Sequence, residues 1–269
     1  MSNKIGIGIV TCNREDMFRK CVDSIPSVDS IVVVNDGNPY TSDAYSSKVK
    51  EVIQHNKNEC VGISKNELLR YLIQDGCDHL FIIEDDMEII NPDVCTAYIN
   101  ACEVSGIWHM NFGYHGSANF KPGQYGVKNP RQIIEYENEI ELAFNLHCIG
   151  SFSYYFRGII KEVGYMDEKF HNAWEHVEHT HRIIKAGLHS PFWWFADIAN
   201  SDQYIKEQST PYQSSVIRKT PEWTKGMKEG EMLYKQKHGL FPTKTPDTSP
   251  EVVLKILEGI QKTYARKVL

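Results

Sequence analysis

Three short apolar runs mark the first 90 residues: 4–10 (Lys-Ile-Gly-Ile-Gly-Ile-Val), 31–34 (Ile-Val-Val-Val) and 80–83 (Leu-Phe-Ile-Ile). None alternates with polar residues, which suits strands covered on both faces, as in a parallel sheet. Between the first two runs, Met17, Phe18, Cys21, Val22 and Ile25 recur at helical spacing until Pro26 stops them. Leu68, Leu69, Leu72 and Ile73 repeat that spacing within residues 64–75, ahead of the third run. Strand and helix therefore alternate, and a doubly wound α/β sheet is the expected fold.

Farther along, the pattern loosens. Residues 113–130 carry Gly113, Gly116, Pro122, Gly123, Gly126 and Pro130, a loop or hairpin composition, and Glu135, Glu137, Glu139 and Glu141 follow at a strand-like period of two. Residues 148–156 read as an apolar-aromatic strand, and residues 174–186 as a helix stopped by Gly187. Ser249, Pro250 and Glu251 open a last helix, whose apolar stripe is Val253, Ile256, Leu257, Ile260 and Tyr264. Before it, residues 206–248 show few apolar periods and are expected to form a long connection or a lid. The division predicted is one domain over residues 1–200, in halves 1–110 and 111–200, followed by a basic connection and a helix over 201–269.

No run approaches the roughly 18 apolar residues of a membrane span. The N-terminus has neither a basic region ahead of a long apolar stretch nor a small-residue cleavage site, so a soluble, non-secreted, cytoplasmic protein is expected. The seven cysteines are an odd number without a Cys-x-x-Cys pair and fit buried thiols in a reducing compartment. The net charge of −6 conceals a division, with 17 basic against 27 acidic residues in 1–200 and 12 against 8 in 201–269. Such a basic tail can meet phosphate on a nucleotide, a lipid surface or DNA. A composition that is 41% hydrophobic and 24% charged excludes disordered, collagen-like and coiled-coil chains.

Ligands of doubly wound sheets bind beyond the carboxyl ends of the strands. There this chain places Thr11-Cys12-Asn13-Arg14, Asn35-Asp36-Gly37-Asn38 and Glu84-Asp85-Asp86. Three successive acids repel one another unless a cation intervenes. Oxygen ligands suit Mg²⁺ or Mn²⁺, whose shells are completed by water and phosphate oxygens. In strict alternation Glu84 and Asp86 share one side and Asp85 takes the other. Arg14, Lys65 and Asn66 fall at helix starts, where backbone N–H groups and the helix dipole attract anions, and with the acids they fit a nucleotide diphosphate. The P-loop and Gly-x-Gly-x-x-Gly motifs do not occur, and His176, His179 and His181 do not make the His-Glu-x-x-His zinc motif. These histidines are expected to be polar-face residues, or one histidine, His147 or His179, to lend a third ligand to the metal.

In their order along the chain these motifs resemble those of the family 2 glycosyltransferases. The matching segments are Ile9 to Arg14, Val33-Val34-Asn35-Asp36-Gly37, Asn56 followed by Gly62 to Asn66, and Phe81 to Asp86 with Pro92. Gly150 to Tyr155, Val163 to Phe170, and Trp174-Glu175-His176-Val177-Glu178 followed by Arg182, Ala186 and Gly187 complete the order. The resemblance implies a GT-A fold, a Rossmann-like doubly wound mixed sheet, and a nucleotide-sugar donor, commonly a UDP-sugar. It implies that Thr11, Asn13 and Arg14 line the nucleotide pocket, that Asp36 accepts a hydrogen bond from the base, that Lys65 and Asn66 lie by the diphosphate or ribose, and that Asp85 belongs to the nucleotide-sugar site. Asp86 and Glu84 would address Mn²⁺ or Mg²⁺, and Trp174 would sit by the acceptor.

This chain departs from the family pattern where Glu84 replaces an aspartate and where Glu175-His176 replaces a Glu-Asp pair. Either Glu175 or His176 can serve as general base, with Glu175 favoured because it keeps the missing charge. The expected activity is metal-dependent sugar transfer to a saccharide or other hydroxyl, with inversion, and the oligomeric state is left open. Tyr154, Tyr155, Trp174, Trp193 and Trp194 could stack on sugars or fill a core. Two alternatives stand beside it. One is the same chemistry on a hydroxymethylated base of phage-type DNA, with the basic tail on phosphates. The other is a nucleotide-sugar-binding or nucleotidyltransferase protein.

Overall fold

In the computed structural model, which describes residues 3–171, 173–208, 218 and 220–266, the three apolar runs become adjacent strands. β1 (Ile5–Thr11), β2 (Ser30–Asn35), a short β3 (Glu51–Gln54) and β4 (His79–Glu84) alternate with helices α1 (Glu15–Ser24) and α2 (Val61–Gln74). β5 (Met87–Ile89), α3 (Val94–Ser105) and β6 (His109–Asn111) follow. After them come β7 (Gln132–Glu135), β8 (Glu141–Asn145), β9 (Phe152–Phe156), α4 (Gly158–Val163) and α5 (Glu175–Lys185). The chain closes with β10 (Phe195–Ile198), β11 (Ile205–Glu207), α6 (Pro221–His238) and α7 (Pro250–Tyr264).

The main sheet has the order β3-β2-β1-β4-β9-β6. β1, β2, β3 and β4 run parallel, while β9 is antiparallel to both β4 and β6, so the sheet is mixed. Its two faces sort the side chains as a period of two requires. Ile7, Ile9, Val33, Phe81 and Ile83 pack with Phe18 of α1 and Tyr98 of α3. Val10, Val32, Val34, Leu80 and Ile82 pack with Leu68 and Leu72 of α2. The glycines of β1 belong to this second face. A Cβ at Gly6 would lie 2.6 Å from Leu72 Cδ2 and one at Gly8 would lie 2.8 Å from Leu68 Cβ, so α2 can seat this closely only on bare backbone.

Two expectations need correction. Glu135 to Glu141 is not one strand: β7 and β8 form an antiparallel pair whose turn is the 3-10 segment Glu137–Glu139, with Asn138 and Glu139 both at φ 60°. Residues 206–248 are more than a connection, because α6 accounts for 18 of them and the first two end β11, which pairs with β5. The helix is hidden in the sequence because Gly226 and Gly230 interrupt its apolar period. Residues 209–217 and 219, also within that expected lid, lie outside the described residues. The last helix, α7, docks on α3 through Val253, Leu257 and Ile260, while Ile256 of the predicted stripe stays 37% exposed. Among the described residues no helix is long and apolar enough to cross a membrane. Four cysteines are buried, whereas Cys12, Cys60 and Cys148 are half-buried, and all seven are free thiols.

Gly8→Ala should lower unfolding free energy by about 1–3 kcal/mol through overpacking against Leu68. Urea denaturation of the variant beside the parent measures this, and an unchanged midpoint would contradict the close seating of α2.

Candidate active site

Register brings the strand ends into one row: Thr11 pairs with Asn35 across β1 and β2, and Val10 with Glu84 across β1 and β4. The chain steps outward from β1 to β2 and β3, then returns to β4 on the other side of β1. The loops after β1 and β4 therefore leave in different directions and open a crevice. A cleft of about 410 Å³ lies there, bordered by Thr11, Asp36, Glu84, Asp86, Trp174 and His176. The alternation expected of the acids holds: Glu84 and Asp86 border the cleft, and Asp85 is fully buried behind it.

Arg14 neutralises this acid loop from one side. Its guanidinium pairs with Asp85 and reaches Asp86 Oδ2 at 3.1 Å, and Thr11 Oγ1 donates to Asp85 Oδ2 at 2.6 Å. Burial drives the Asp85 carboxyl upward, against the pull of Arg14, and the adjacent Asp86 adds to the rise. Burial disfavours the Arg14 charge, but Asp85, Asp86 and Glu84 together raise its pKa. Thus Asp85, expected to face a nucleotide, is enclosed, and the charge of Arg14 is taken up by carboxylates.

Lys65 neutralises the opposite side. It is only 1% exposed, and its ammonium donates to Glu84 Oε1 at 2.8 Å and to the Gly150 carbonyl at 2.9 Å, with Glu175 Oε1 at 3.5 Å. Burial opposes its charge, yet Glu84 and Glu175 raise its pKa. Burial would lift Glu84 in turn, and the Lys65 charge lowers it. The sequence pattern offered Lys65 to a diphosphate; it is committed to these carboxylates instead. Its neighbour Asn66 is buried against α4 and the following loop, exchanging hydrogen bonds with the Met166 backbone and donating to Glu168, away from the cleft.

Also bordering the cleft, Trp174 adopts φ 70° just before α5, and its indole N–H donates to the Met227 carbonyl of α6 at 3.1 Å. Glu175 is 3% exposed, with Oε1 3.0 Å from Nδ1 of His176. Burial alone would raise this carboxyl, but the charges of His176 and Lys65 reverse the effect and bring it down to about 2. His176 borders the cleft over Gly150, where a Cβ would fall 2.8 Å from its ring.

Asp36 borders the cleft, but both oxygens are occupied. Oδ1 faces His55 Nδ1 at 2.7 Å and accepts the Glu59 N–H at 2.6 Å; Oδ2 accepts Asn58 Nδ2 at 3.0 Å and the Cys60 N–H at 3.1 Å. A carboxylate offers about four acceptor positions, so Asp36 shapes the 55–60 wall and has none left for a base. Asn13 is exposed at φ 54° and accepts the Asn38 N–H at 2.8 Å, bracing the first two loops. Neither expected third metal ligand borders the cleft: His179 is buried with Nε2 on the Gly164 carbonyl, and the His147 backbone pairs with Asn119.

Sequence reasoning missed His115, Glu207, Trp223 and Met227. His115, Trp223 and Met227 border the cleft, and Glu207 stands 3.1 Å from His115. Burial opposes protonation of His115, while Glu207, Asp86 and Glu84 favour it and raise its pKa overall. No sequence signal singles them out, since they sit in a glycine-rich loop and in the segment read as a connection. Cys12 and Cys148 also border the cleft, and burial pushes both thiols up, Cys148 to about 12. Among the described residues no three His, Cys, Asp or Glu side chains form a ready-made metal cage. Asp86 Oδ1 is nonetheless buried without a hydrogen-bond partner there, and carboxylate oxygens of Asp86 and Glu84 suit a hard divalent ion completed by phosphate and water.

No protein-family model and no curated protein sequence matches this chain. Solved structures do match its fold. S. aureus TarS superposes with a TM-score of 0.56 at 15% identity, over 96% of this chain and 42% of TarS. Glucosyl-3-phosphoglycerate synthase from Mycobacterium tuberculosis, in complex with Mn²⁺, UDP and glucosyl-3-phosphoglycerate, gives 0.54 at 13% identity, over 92% of this chain and 82% of that one. The mannosyltransferase PcManGT from Pyrobaculum calidifontis, in complex with GDP-Man and Mn²⁺, gives 0.53 at 10% identity, over 98% and 72%. The fold is that of the GT-A glycosyltransferases, and the chain spans less than half the length of TarS.

Because the Glu175 carboxyl lies at about 2 rather than its ordinary 4.5, its stabilising contribution is complete above the ordinary value and disappears as pH falls toward 2. That contribution is roughly 3 kcal/mol. Glu175→Gln should therefore flatten the stability–pH curve between about pH 5 and 2, measured by urea unfolding; an equally steep curve in the variant would remove Glu175 from the buried ion network.

Proposed function

We propose that this chain is a metal-dependent glycosyltransferase that moves a sugar from a nucleotide diphosphate, UDP by preference, to a hydroxyl acceptor with inversion. One observation carries the reading: Thr11 and Asp36 of the nucleotide side, the carboxylates Glu84 and Asp86, and Trp174, Glu175 and His176 of the acceptor side all border a single cleft. The complexes of the same fold with Mn²⁺ and UDP, or with Mn²⁺ and GDP-Man, add support.

Asp86 and Glu84 would hold Mn²⁺ or Mg²⁺, Asp86 through its unpartnered Oδ1 and Glu84 through the oxygen that Lys65 leaves unused. Bound there, the ion supplies positive charge opposite the departing diphosphate. Lys65 keeps Glu84 ionised and fixed for that task, and Arg14 does the same for Asp86.

The geometry favours His176 over Glu175 as general base. The Glu175 carboxylate is engaged by the Lys65 ammonium at 3.5 Å, and its position 3.0 Å from His176 Nδ1 suits it to orient the imidazole and to stabilise the ring once it has taken a proton. Nε2 of His176 then takes the proton of the acceptor hydroxyl as that oxygen attacks the sugar carbon in one displacement, which inverts its configuration. Trp174 and Trp223 border the acceptor side and offer aromatic faces, so the favoured acceptor is a saccharide whose ring stacks there.

His176→Ala should reduce kcat by about 10²- to 10⁴-fold with donor affinity unchanged, as loss of a general base does. Asp86→Ala should abolish metal-stimulated release of UDP from a UDP-sugar. A coupled assay for free UDP with Mn²⁺ present, beside donor titration, reads both; full activity of Asp86→Ala or of His176→Ala would overturn the corresponding role.

A further inference from the structure

We infer that α6 governs acceptor selection, with Gly226 and Gly230 as positioning residues that let the helix close on Trp174 and fix its ring as a platform for one face of a pyranose. The inference rests on the glycosyltransferase reading above. Glycine is a poor helix former, yet α6 carries two in its interior, four residues apart and both buried. Four residues is about one turn, so both lie on the same side of the helix. That side meets the chain just ahead of α5. A Cβ at Gly226 would fall 2.7 Å from the His171 carbonyl oxygen, and one at Gly230 would fall 2.8 Å from Trp174 Cδ1 and 3.2 Å from the Ala173 carbonyl oxygen. The helix reaches this segment only where it lacks side chains.

Trp174 depends on that contact. Its φ of 70° is a left-handed conformation that a bulky residue keeps only when its surroundings impose it. α6 imposes it at the pyrrole edge of the indole, where Cδ1 faces Gly230 and Nε1 donates to the Met227 carbonyl at 3.1 Å. With that edge sealed against the helix, the six-membered ring is left to border the cleft.

The far end of α6 is stapled to α5. The Tyr234 hydroxyl is hydrogen-bonded to His181, the Lys237 ammonium lies 2.8 Å from Glu178 and 2.7 Å from Asp167, and His238 Nε2 stands 3.2 Å from Glu178 Oε1. Glu178 is fully buried and shares α5 with His176, so notch and staple hold Trp174 and His176 in one frame. The wall built in this way is apolar: Ala173, Trp174, Val177, Trp223 and Met227 all border the cleft. Such a wall suits the C–H face of a sugar ring, a surface that an open-chain polyol does not present.

The test is saturation-transfer NMR of methyl β-D-glucopyranoside, methyl β-D-galactopyranoside and the open-chain polyol sorbitol with the full chain, UDP and Mn²⁺. At least one pyranoside should receive saturation through its ring C–H protons, and sorbitol none. In Gly230→Ala the dissociation constant of that pyranoside should rise roughly 10-fold or more, as loss of an ordered aromatic contact does, with UDP affinity kept within about twofold. Trp174→Phe keeps an aromatic ring and loses the N–H to Met227; it should raise the same constant about 3- to 10-fold, the effect of one hydrogen bond, and tests the platform even if Gly230→Ala does not fold. Pyranoside affinity unchanged in either variant overturns the inference, as does an equal loss of UDP affinity in Gly230→Ala, which marks a merely structural role. A parent that holds UDP and Mn²⁺ but binds no pyranoside, or binds sorbitol equally well, overturns it and leaves the proposed function standing. A parent that holds no UDP with Mn²⁺ overturns both.

Discussion

Glu84 and Glu175 come from different halves of the chain, one at the end of β4 and the other at the start of α5, and the Lys65 ammonium lies 2.8 and 3.5 Å from them. Taking three charges out of water is costly, and removing one member of such a group leaves the others uncompensated. Arg14 makes the companion arrangement with Asp85 and Asp86. The cleft can gather carboxylates at its floor because the buried Lys65 and the half-buried Arg14 stand against them. With that balance in place, the remaining geometry follows: Glu84 is held at the cleft, Glu175 toward His176, and Gly150 receives the third contact of Lys65.

Parallel strands deliver the residues, and later segments enclose them. Thr11, Asp36 and Glu84 meet because register fixes where β1, β2 and β4 end. The wall formed by the later segments depends on pieces remote in sequence: α5 presents Glu175 and His176, and α6 backs Trp174 through the Met227 carbonyl. β11 adds Glu207 by pairing with β5, the strand that immediately follows the acid loop. The C-terminal third of the chain is thus a structural part of the cleft.

The features legible in the sequence were those carried by local period. Buried strands read as unbroken apolar runs, α1, α2, α5 and α7 read by helical spacing, and the split of Glu84 and Asp86 from Asp85 read by alternation. β3 was missed because only Val52 and Ile53 of its four residues are apolar. α6 was missed because its glycines weaken the period, although Thr220 and Pro221 mark its start. Residue type identified polar groups near the site but could not tell contact with a ligand from contact with the protein. Arg14, Lys65 and Asp36 are all satisfied by neighbours more distant in sequence than any motif reaches, and Asn66 turns away altogether.

The two thiols on the cleft wall have a practical use. Cys12 and Cys148 are half-buried and kept protonated by their surroundings, so they react slowly with ordinary alkylating agents. A nucleotide or acceptor bound as proposed would cover the same wall. The natural chain therefore carries its own chemical gauge of occupancy: protection of those sulfurs, read by mass spectrometry, reports which half of the cleft a given compound fills, without an engineered label.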